Sequence, residues 1–419
     1  MRNTGWLLFE QIFRMALSLV VTSLMARFLG TEDFGLLNYS LAYVMIFTAV
    51  SNLGIDSILV NEIIKNKVEA GKVIGSTIVL RLISSVSSIF LIYLIVKYLN
   101  PNDFTLYTLT ILQSISLIFT VFDSIQYWFQ ANLQSKYIVI SKSIAFSIVS
   151  FWRLSLILFE KSISYFAIAT VIEAIVMSIF IVSYFKRFKG PKLQFSLETA
   201  KQLLIKGFYH FIAALLIMAY TQIDKIMLGK MAGGTTVGVY TAAMTISSLW
   251  MFIPLALINS ARPVIMEAKT QNEDTYLLKN KQLYCSIIWL GIIAAVVISL
   301  LAKPIILLIY GEQFIESTKI LVILIWSRIF ALVGTVKAIW LTVESLARYQ
   351  VYFVGIGAFL SIILNLIFIP RYGAMGAAIA ILVAEALSTI VACLVFKQTQ
   401  PLFKLILHAF LFKGVKNRT

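Results

Sequence analysis

Between Val73 and Leu99 the chain reads VIGSTIVLRLISSVSSIFLIYLIVKYL, an apolar run long enough to cross a lipid bilayer as one helix. Arg81 lies near the middle of this run. At helical spacing its face carries only polar side chains, which are Thr77, Ser84, Ser85 and Ser88. A central arginine in lipid costs roughly 3 to more than 10 kcal/mol, so this face must contact protein or a water-filled cavity. The run therefore predicts a membrane protein with a hydrated, partly cationic interior.

The composition also indicates a membrane protein. Of 419 residues, 60% are hydrophobic and 13% are charged, and the mean hydropathy is +0.92. Soluble domains are about half apolar and about a quarter charged, and apolar runs of about 20 residues exclude a soluble enzyme with buried strands. The net charge of +16 indicates basic cytoplasmic loops, and we expect no nucleic-acid binding. Cys285 and Cys393 fall in or beside apolar segments, so we expect neither a disulfide nor a metal site.

The hydropathy pattern predicts an all-α integral membrane protein with about twelve transmembrane helices. The first six lie near residues 5–28, 34–54, 73–99, 106–129, 137–159 and 163–185, and the second six near 207–229, 237–258, 283–301, 320–343, 351–369 and 374–396. We divide the chain into an N-terminal six-helix lobe (1–189), a cytoplasmic linker (190–200), a C-terminal six-helix lobe (201–397) and a basic cytoplasmic tail (398–419). The tail is either an amphipathic helix on the membrane surface or a frayed basic segment.

An internal repeat supports two equivalent lobes. At one constant offset, Gly30 corresponds to Gly233 and Gly35 to Gly238, between the first two helices of each lobe. Such repeats are common in transporters, and a six-helix offset predicts two lobes related by a pseudo-two-fold axis along the membrane normal. Most Lys and Arg residues lie at alternate helix ends that include both chain termini, which predicts that both termini are cytoplasmic.

The fourth span carries a polar stripe at helical spacing. Its members are Gln113, Ser116, Thr120, Asp123, Tyr127 and Gln130. One polar residue in a span can hold two helices together, but six on one continuous helical face favour a hydrated cavity.

Other spans contain cations with two possible roles. Lys142 and Arg153 share a face of the fifth span, about 16 Å apart along its axis, and either line a passage or extend to the membrane surface. Arg14 follows Glu10 by one turn and either pairs with it or faces the cavity. The candidate substrate-binding residues are therefore Arg81, Arg14, Arg153, Lys142, Arg328, Asp123, Tyr127 and Gln113. We predict no catalytic residue and no bound cofactor.

His210 and Asp224 share a face of the seventh span. Inside a helix bundle, His and Asp can relay a proton or bind sodium. The pair is a candidate ion relay, with coupling to H⁺ or Na⁺. The alternative is that His210 lies near the cytoplasmic end and Asp224 is neutralised by Lys225 beside it.

Three segments resemble Wzx-type O-antigen flippases. They are ARFLGTEDFGLLNYS from Ala26, DKIMLG from Asp224 with VGVYTAA from Val237, and PRYGAMGAAIA from Pro370. This family belongs to the multidrug, oligosaccharidyl-lipid and polysaccharide exporter superfamily. The resemblance implies twelve helices in two lobes and a location in the bacterial inner membrane. It also implies transfer of undecaprenyl-diphosphate-linked repeat units to the periplasmic leaflet by alternating access.

The resemblance implies a transporter and not an enzyme, acting as a monomer on an undecaprenyl-diphosphate-linked glycan and in contact with membrane lipid. The O-antigen polymerase and chain-length regulator are further candidate partners. Two alternatives stay open, a cation-coupled multidrug antiporter of the same superfamily and a membrane-embedded polysaccharide polymerase. A polymerase fits less well because the outer loops are short and contain no histidine.

Overall fold

A computed structural model describes the backbone of residues 2–411 and the side chains of residues 13–411. Within this part of the chain every regular element is a helix, which confirms the predicted all-α class. The first helices are α1 (Arg2–Asn52), α2 (Asp56–Lys65), α3 (Ala70–Leu99), α4 (Phe104–Ser114), α5 (Ser116–Phe119), α6 (Gln126–Ala131), α7 (Ser135–Leu158) and α8 (Ile163–Arg187). They are followed by α9 (Leu197–Leu249), α10 (Phe252–Gln271), α11 (Glu273–Leu300), α12 (Ala302–Ile309), α13 (Ser317–Val343), α14 (Arg348–Thr389) and α15 (Gln400–Phe410).

Three long helices are each broken by one glycine. Gly30 in α1, Gly233 in α9 and Gly373 in α14 have φ of 75°, 83° and 53°, which glycine adopts without the steric cost of a side chain. The helices contain 51, 53 and 42 residues, and so are each at least twice as long as a membrane of about 30 Å requires. Each therefore supplies two crossings.

The membrane spans agree with the sequence prediction. Among the described residues, nine helical segments are long and apolar enough to cross a membrane. Three of these contain the broken helices and correspond to two predicted spans each, so all twelve predicted spans are accounted for. The protein is a multi-pass membrane protein. Gly30 and Gly233 share nearly the same backbone conformation, with ψ of 179° and 175°, as expected for an internal repeat.

Helix α3 has the distribution of side chains that a membrane requires. Arg81, Ser85 and Ser88 are 1%, 0% and 0% exposed, whereas Ile83 and Phe90 are 62% and 61% exposed. The polar face packs against protein, and the apolar face is left for lipid. The arrangement confirms that the polar face of this segment does not meet hydrocarbon.

The chain forms two compact units, Met1–Gln222 and Ile223–Thr419. The division lies inside α9, beyond the predicted linker. In the first unit the linker is attached to α3, because the Gln194 N–H donates to the Gly71 carbonyl at 3.2 Å. Lys206 of α9 also pairs with Glu62 of α2 at 2.8 Å. The proposed lobe boundaries remain predictions.

The predicted tail includes α15. Leu402, Leu405 and Ile406 of this helix are buried in the hydrophobic core of the second unit. Its apolar face therefore contacts protein, where the sequence interpretation placed it against lipid. Residues 412–419 lie outside the described part of the chain.

Candidate functional site

The fourth span is not one continuous helix. Only Ile115 separates α4 from α5, and a 3₁₀ helix, Thr120–Ile125, joins α5 to α6. The hydroxyls of Ser116, Thr120 and Ser124 each donate to the carbonyl three residues earlier, at 2.6, 2.9 and 2.8 Å. Such bonds compete with the α-helical ladder and favour tighter turns. The predicted polar stripe therefore crosses a change from α-helix to 3₁₀ helix at Thr120.

A cavity of about 220 Å³ lies in the first unit beside this irregular span. Its lining residues are Arg14, Ser116, Thr120, Asp123, Lys142, Ala145, Thr170, Glu173, Ala174 and Met177. Three members of the predicted stripe, Ser116, Thr120 and Asp123, line this cavity. The structure thus brings Arg14, Lys142 and Asp123 of the predicted site together in one place, and adds Glu173.

The charges of this first-unit cavity alternate in sign. Arg14 Nη2 lies 3.8 Å from Glu173 Oε1, and these side chains are 40% and 31% exposed. The Arg14 guanidinium also lies 5.2 Å from the ring centroid of Phe146. The charge of Asp123 interacts with that of Lys142. The Glu10 side chain, the predicted partner of Arg14, lies outside the described residues.

Lys142 differs from Arg14 in its surroundings. Among the side chains of residues 13–411, no carboxylate oxygen lies within 4.0 Å of Lys142 Nζ. Lys142 is only partly buried and lines the cavity. Lys142 is therefore a cavity cation that can bind an anion without first breaking a close ion pair.

Arg81 does not line the cavity. It is 1% exposed, and its guanidinium donates to Asp56 of α2, whose side chain is 30% exposed. The Tyr127 side chain also interacts electrostatically with Asp56. Arg81 and Tyr127, both predicted substrate contacts, are thus occupied in joining α3 and α6 to α2, and the structure offers Arg81 no surface for a ligand.

Gln113 and Arg153 also lie apart from the cavity lining. Gln113 is 1% exposed, accepts from the Ser40 hydroxyl at 2.9 Å and donates to the Leu37 carbonyl at 3.2 Å. It holds α4 to α1, which is the alternative role of a polar residue in a span. Arg153 interacts electrostatically with Glu173.

The second unit contains a separate buried cluster around Asp224, which is 1% exposed. Its carboxylate accepts from Tyr240 Oη at 3.0 Å, Ser361 Oγ at 3.1 Å and Asn365 Nδ2 at 2.6 Å. Arg328 interacts electrostatically with this carboxylate and donates to Ser247 Oγ at 3.3 Å. Arg328 therefore belongs to the second unit and not to the first-unit cavity.

His210 is exposed and is not among the hydrogen-bond partners found for Asp224. The predicted His–Asp relay is not assembled as the sequence suggested. Asp224 is instead surrounded by three neutral donors from α9 and α14.

Comparisons with known proteins fit this architecture. The model of the polysaccharide biosynthesis protein family matches residues 1–269. The chain belongs to this family. The family is the one that the three motif segments indicated.

Curated relatives of this family member include a probable flippase AglR of Haloferax volcanii, 27% identical over 182 residues that cover 42% of this chain and 37% of that protein. The chain therefore spans well under two thirds of that relative's length. A putative O-antigen transporter of Shigella flexneri is 23% identical over 396 residues, which cover 90% of this chain and 93% of that protein.

Solved structures show the same fold. The lipid II flippase MurJ in an inward closed conformation matches with a TM-score of 0.74 and 18% identity, over 96% of this chain and 90% of that one. An inward-facing multidrug resistance MATE family transporter of the MOP superfamily matches with a TM-score of 0.71 and 15% identity, over 94% of this chain and 95% of that one. This family member thus has the same fold as these two transporters.

The sequence alone did not reveal the contacts of several important residues of this family member. Glu173 was not among the predicted site residues, and Asp56 was not connected with Arg81. Ser361 and Asn365 are four residues apart on α14, a spacing that places them on one helix face. Two polar residues at this spacing in an otherwise apolar span were the sequence pattern that could have indicated a buried polar contact.

Proposed function

We propose that the protein transfers an undecaprenyl-diphosphate-linked oligosaccharide, an O-antigen or related polysaccharide repeat unit, from the cytoplasmic to the periplasmic leaflet by alternating access. The observation that carries this proposal is the first-unit cavity, where Lys142 and Arg14 lie beside three threonine and serine hydroxyls. Membership of the polysaccharide biosynthesis family and the names of the flippase and O-antigen transporter relatives support it.

The cavity chemistry suits a diphosphate. Phosphate oxygens form charge-assisted hydrogen bonds with ammonium and guanidinium groups, and these are about twice as strong as neutral ones. Lys142 is available for such a bond, and the 3.8 Å separation of Arg14 from Glu173 is longer than the roughly 2.7–2.9 Å of a strong charged hydrogen bond. Arg14 would add a planar fork of donors that matches phosphate oxygens.

The cavity size limits what it holds. Its volume of about 220 Å³ is below the roughly 300–1,000 Å³ of sites for drug-sized ligands. We infer that it receives the diphosphate and at most the adjoining sugar. The hydroxyls of Ser116, Thr120 and Thr170 have lone pairs that can accept from sugar hydroxyls.

We propose that Asp224 is the site of coupling to H⁺ or Na⁺. It is a fully buried carboxylate, which is costly in a membrane protein unless it has a function or a partner. In the described part of the chain, the buried Asn365 Oδ1 beside it has no hydrogen-bond partner. An oxygen in this position can accept from a protonated carboxyl group or coordinate a cation together with the carboxylate.

A cation-coupled multidrug antiporter is the second candidate. It is favoured by the MATE-like fold and by Asp123 and Glu173, which offset the two cavity cations. A drug pump would take cationic cargo at these acids. Deletion would then change drug susceptibility and leave surface glycan intact.

We further propose that the protein lies in the bacterial inner membrane with both termini in the cytoplasm, because most Lys and Arg residues lie at that set of helix ends. It would act as a monomer. The polymerase and chain-length regulator of the polysaccharide pathway would then receive the product on the periplasmic side.

The proposal is tested by deleting the gene in the source organism and extracting its lipids. A flippase defect leaves undecaprenyl-diphosphate-linked single repeat units inaccessible to a periplasmic glycan-modifying reagent, and the wild-type gene restores access. Accessible single repeat units would instead indicate a polymerase. Unchanged glycan with increased drug sensitivity would indicate the antiporter.

A further inference from the structure

A second polar pocket lies at one end of the second unit, where α11, α13 and α15 meet. Its volume is about 330 Å³. It is lined by Glu273, Tyr276, Leu277, Lys281, Trp340, Glu344, Leu346, Gln398, Pro401, Lys404, Leu405 and His408. We call it the α15 pocket. Its residues belong to the helix ends richest in Lys and Arg, and it is separate from the first-unit cavity.

Helix α15 is fixed in place by its apolar face. Leu402, Ile406 and Leu405 are 0%, 0% and 5% exposed within the core of the second unit. The opposite face must then be exposed. Lys404 and His408 are one turn apart on it, so both side chains border the pocket.

The two acids of the α15 pocket share one cation. Lys269 Nζ lies 2.8 Å from Glu273 and 2.9 Å from Glu344, and 4.6 Å from the ring centroid of Tyr276. The hydrogen bond to Glu273 and then that to Glu344 raise the pKa of Lys269, so it stays charged. One lysine thus holds both carboxylates.

Two pocket lysines have no such partner. Among the described side chains, no carboxylate oxygen lies within 4.0 Å of the ammonium of Lys281 or Lys404. Three lysine charges, those of Lys269, Lys281 and Lys404, against two carboxylates leave the pocket with a surplus positive charge. The complementary ligand is an anion.

Leucines beside these cations identify the kind of anion. Leu407 and Leu411 are 47% and 56% exposed. At about 100° per residue both lie within about 60° of Lys404 around the helix. A free phosphate ion gains no binding energy from an adjoining apolar surface, whereas a lipid presents a phosphate and hydrocarbon together.

We propose that the α15 pocket binds the phosphate headgroup of an anionic membrane lipid, with Lys281 and Lys404 contacting the phosphate and Leu407 and Leu411 contacting the acyl region. Anionic lipids are enriched on the cytoplasmic side, where each basic residue adds to the attraction. The bound lipid would link α15 to α11, because the two lysines come from these two helices.

The test is native mass spectrometry of the full-length protein in detergent, equilibrated with equal amounts of phosphatidylglycerol and phosphatidylcholine. The wild type is expected to retain phosphatidylglycerol preferentially. The Lys281→Gln/Lys404→Gln double variant is expected to lose about tenfold or more of that affinity, since each surface lysine contributes about 1 kcal/mol. The matched control is Lys279→Gln/Lys397→Gln, which removes two exposed lysines at the same end but outside the pocket.

Equal retention of both lipids by the wild type would overturn the proposal, even if the double variant does not fold. Equal losses in the two double variants would do so as well, because only general charge would then matter. Inorganic phosphate is added as a competitor at millimolar concentration. Displacement of phosphatidylglycerol by phosphate alone would contradict the lipid assignment and indicate a site for free phosphate.

Discussion

Arg81 and Asp56 form an ion pair that joins α3 to α2 in the interior of the first unit. The arginine is 1% exposed and the aspartate side chain 30%. The charge of Arg81 also interacts with Asp123 in the neighbouring cavity. The arginine that first indicated a hydrated interior is thus a structural link at the border of the cavity and does not line it.

Replacing Arg81 with Ala leaves Asp56 without its cation. Breaking a buried pair costs about 3–5 kcal/mol, and we expect the lower end because Asp56 is partly exposed. The protein level and the melting temperature in detergent should both fall. An Arg81→Leu/Asp56→Leu double variant should recover much of this loss, because it removes both charges together. Normal stability of Arg81→Ala with loss of surface glycan would instead restore Arg81 as a substrate contact.

The membrane architecture was predictable from sequence because lipid imposes length and polarity on each span. The role of Arg81 was not predictable in this way. Its polar face was visible at helical spacing, but its partner Asp56 lies in a different helix, and single-helix periodicity carries no information on such pairs. For the same reason, the hydrogen bond from Ser40 to Gln113 could not be predicted.

Lys142→Ala is expected to reduce surface polysaccharide at least about tenfold while the protein level stays normal. The reason is the loss of one charge-assisted hydrogen bond to the diphosphate. Lys136→Ala provides the control, since Lys136 is exposed on the same helix and outside the cavity. Glycan display is measured by gel staining of extracted polysaccharide. Equal effects of the two variants would remove Lys142 from the binding site.

Gly71→Ala and Gly75→Ala are expected to release the linker from α3. An added Cβ would lie 2.1 Å from the Lys192 carbonyl oxygen at Gly71 and 2.4 Å from the Gln194 carbonyl oxygen at Gly75. At such distances the linker backbone must move, and overpacking of this kind typically lowers the free energy of unfolding by about 1–3 kcal/mol. Tryptic cleavage at Lys192 should become several-fold faster.

Gly355→Ala is the matched control for the linker variants, because nothing lies within 4 Å of its added Cβ. If all three alanine variants are cut at the same rate, the attachment of the linker to α3 does not hold it in place.

Asp224→Asn is expected to remove the response of transport to an imposed H⁺ or Na⁺ gradient. The amide keeps the shape of the side chain and can still accept from Tyr240 or Ser361, so the fold should survive. Asp274→Asn, at an exposed carboxylate of α11, should leave the response unchanged. Transport by Asp224→Asn that still follows the gradient would exclude this aspartate as the coupling site.

The candidate site was only partly predictable. Arg14, Lys142 and Asp123 were identified because charge in an apolar span is rare enough to stand out. Their grouping with Glu173 depends on how α1, α7 and α8 pack, and no spacing along the chain records that. The 3₁₀ stretch of the fourth span begins where the Thr120 hydroxyl donates to the Leu117 carbonyl, and helical periodicity does not reveal such a change of pitch.

The central claim, that the first-unit cavity carries a lipid-linked diphosphate across the membrane, is tested most directly in reconstituted vesicles. Undecaprenyl-diphosphate-linked repeat units extracted from the deletion strain are placed in vesicles with the purified protein. The measurement is the fraction that becomes accessible to an impermeant external reagent with time. We predict rapid transfer by the wild type and transfer no faster than in empty vesicles for Lys142→Ala. Wild-type vesicles that match empty ones, or Lys142→Ala vesicles that match the wild type, would contradict the claim.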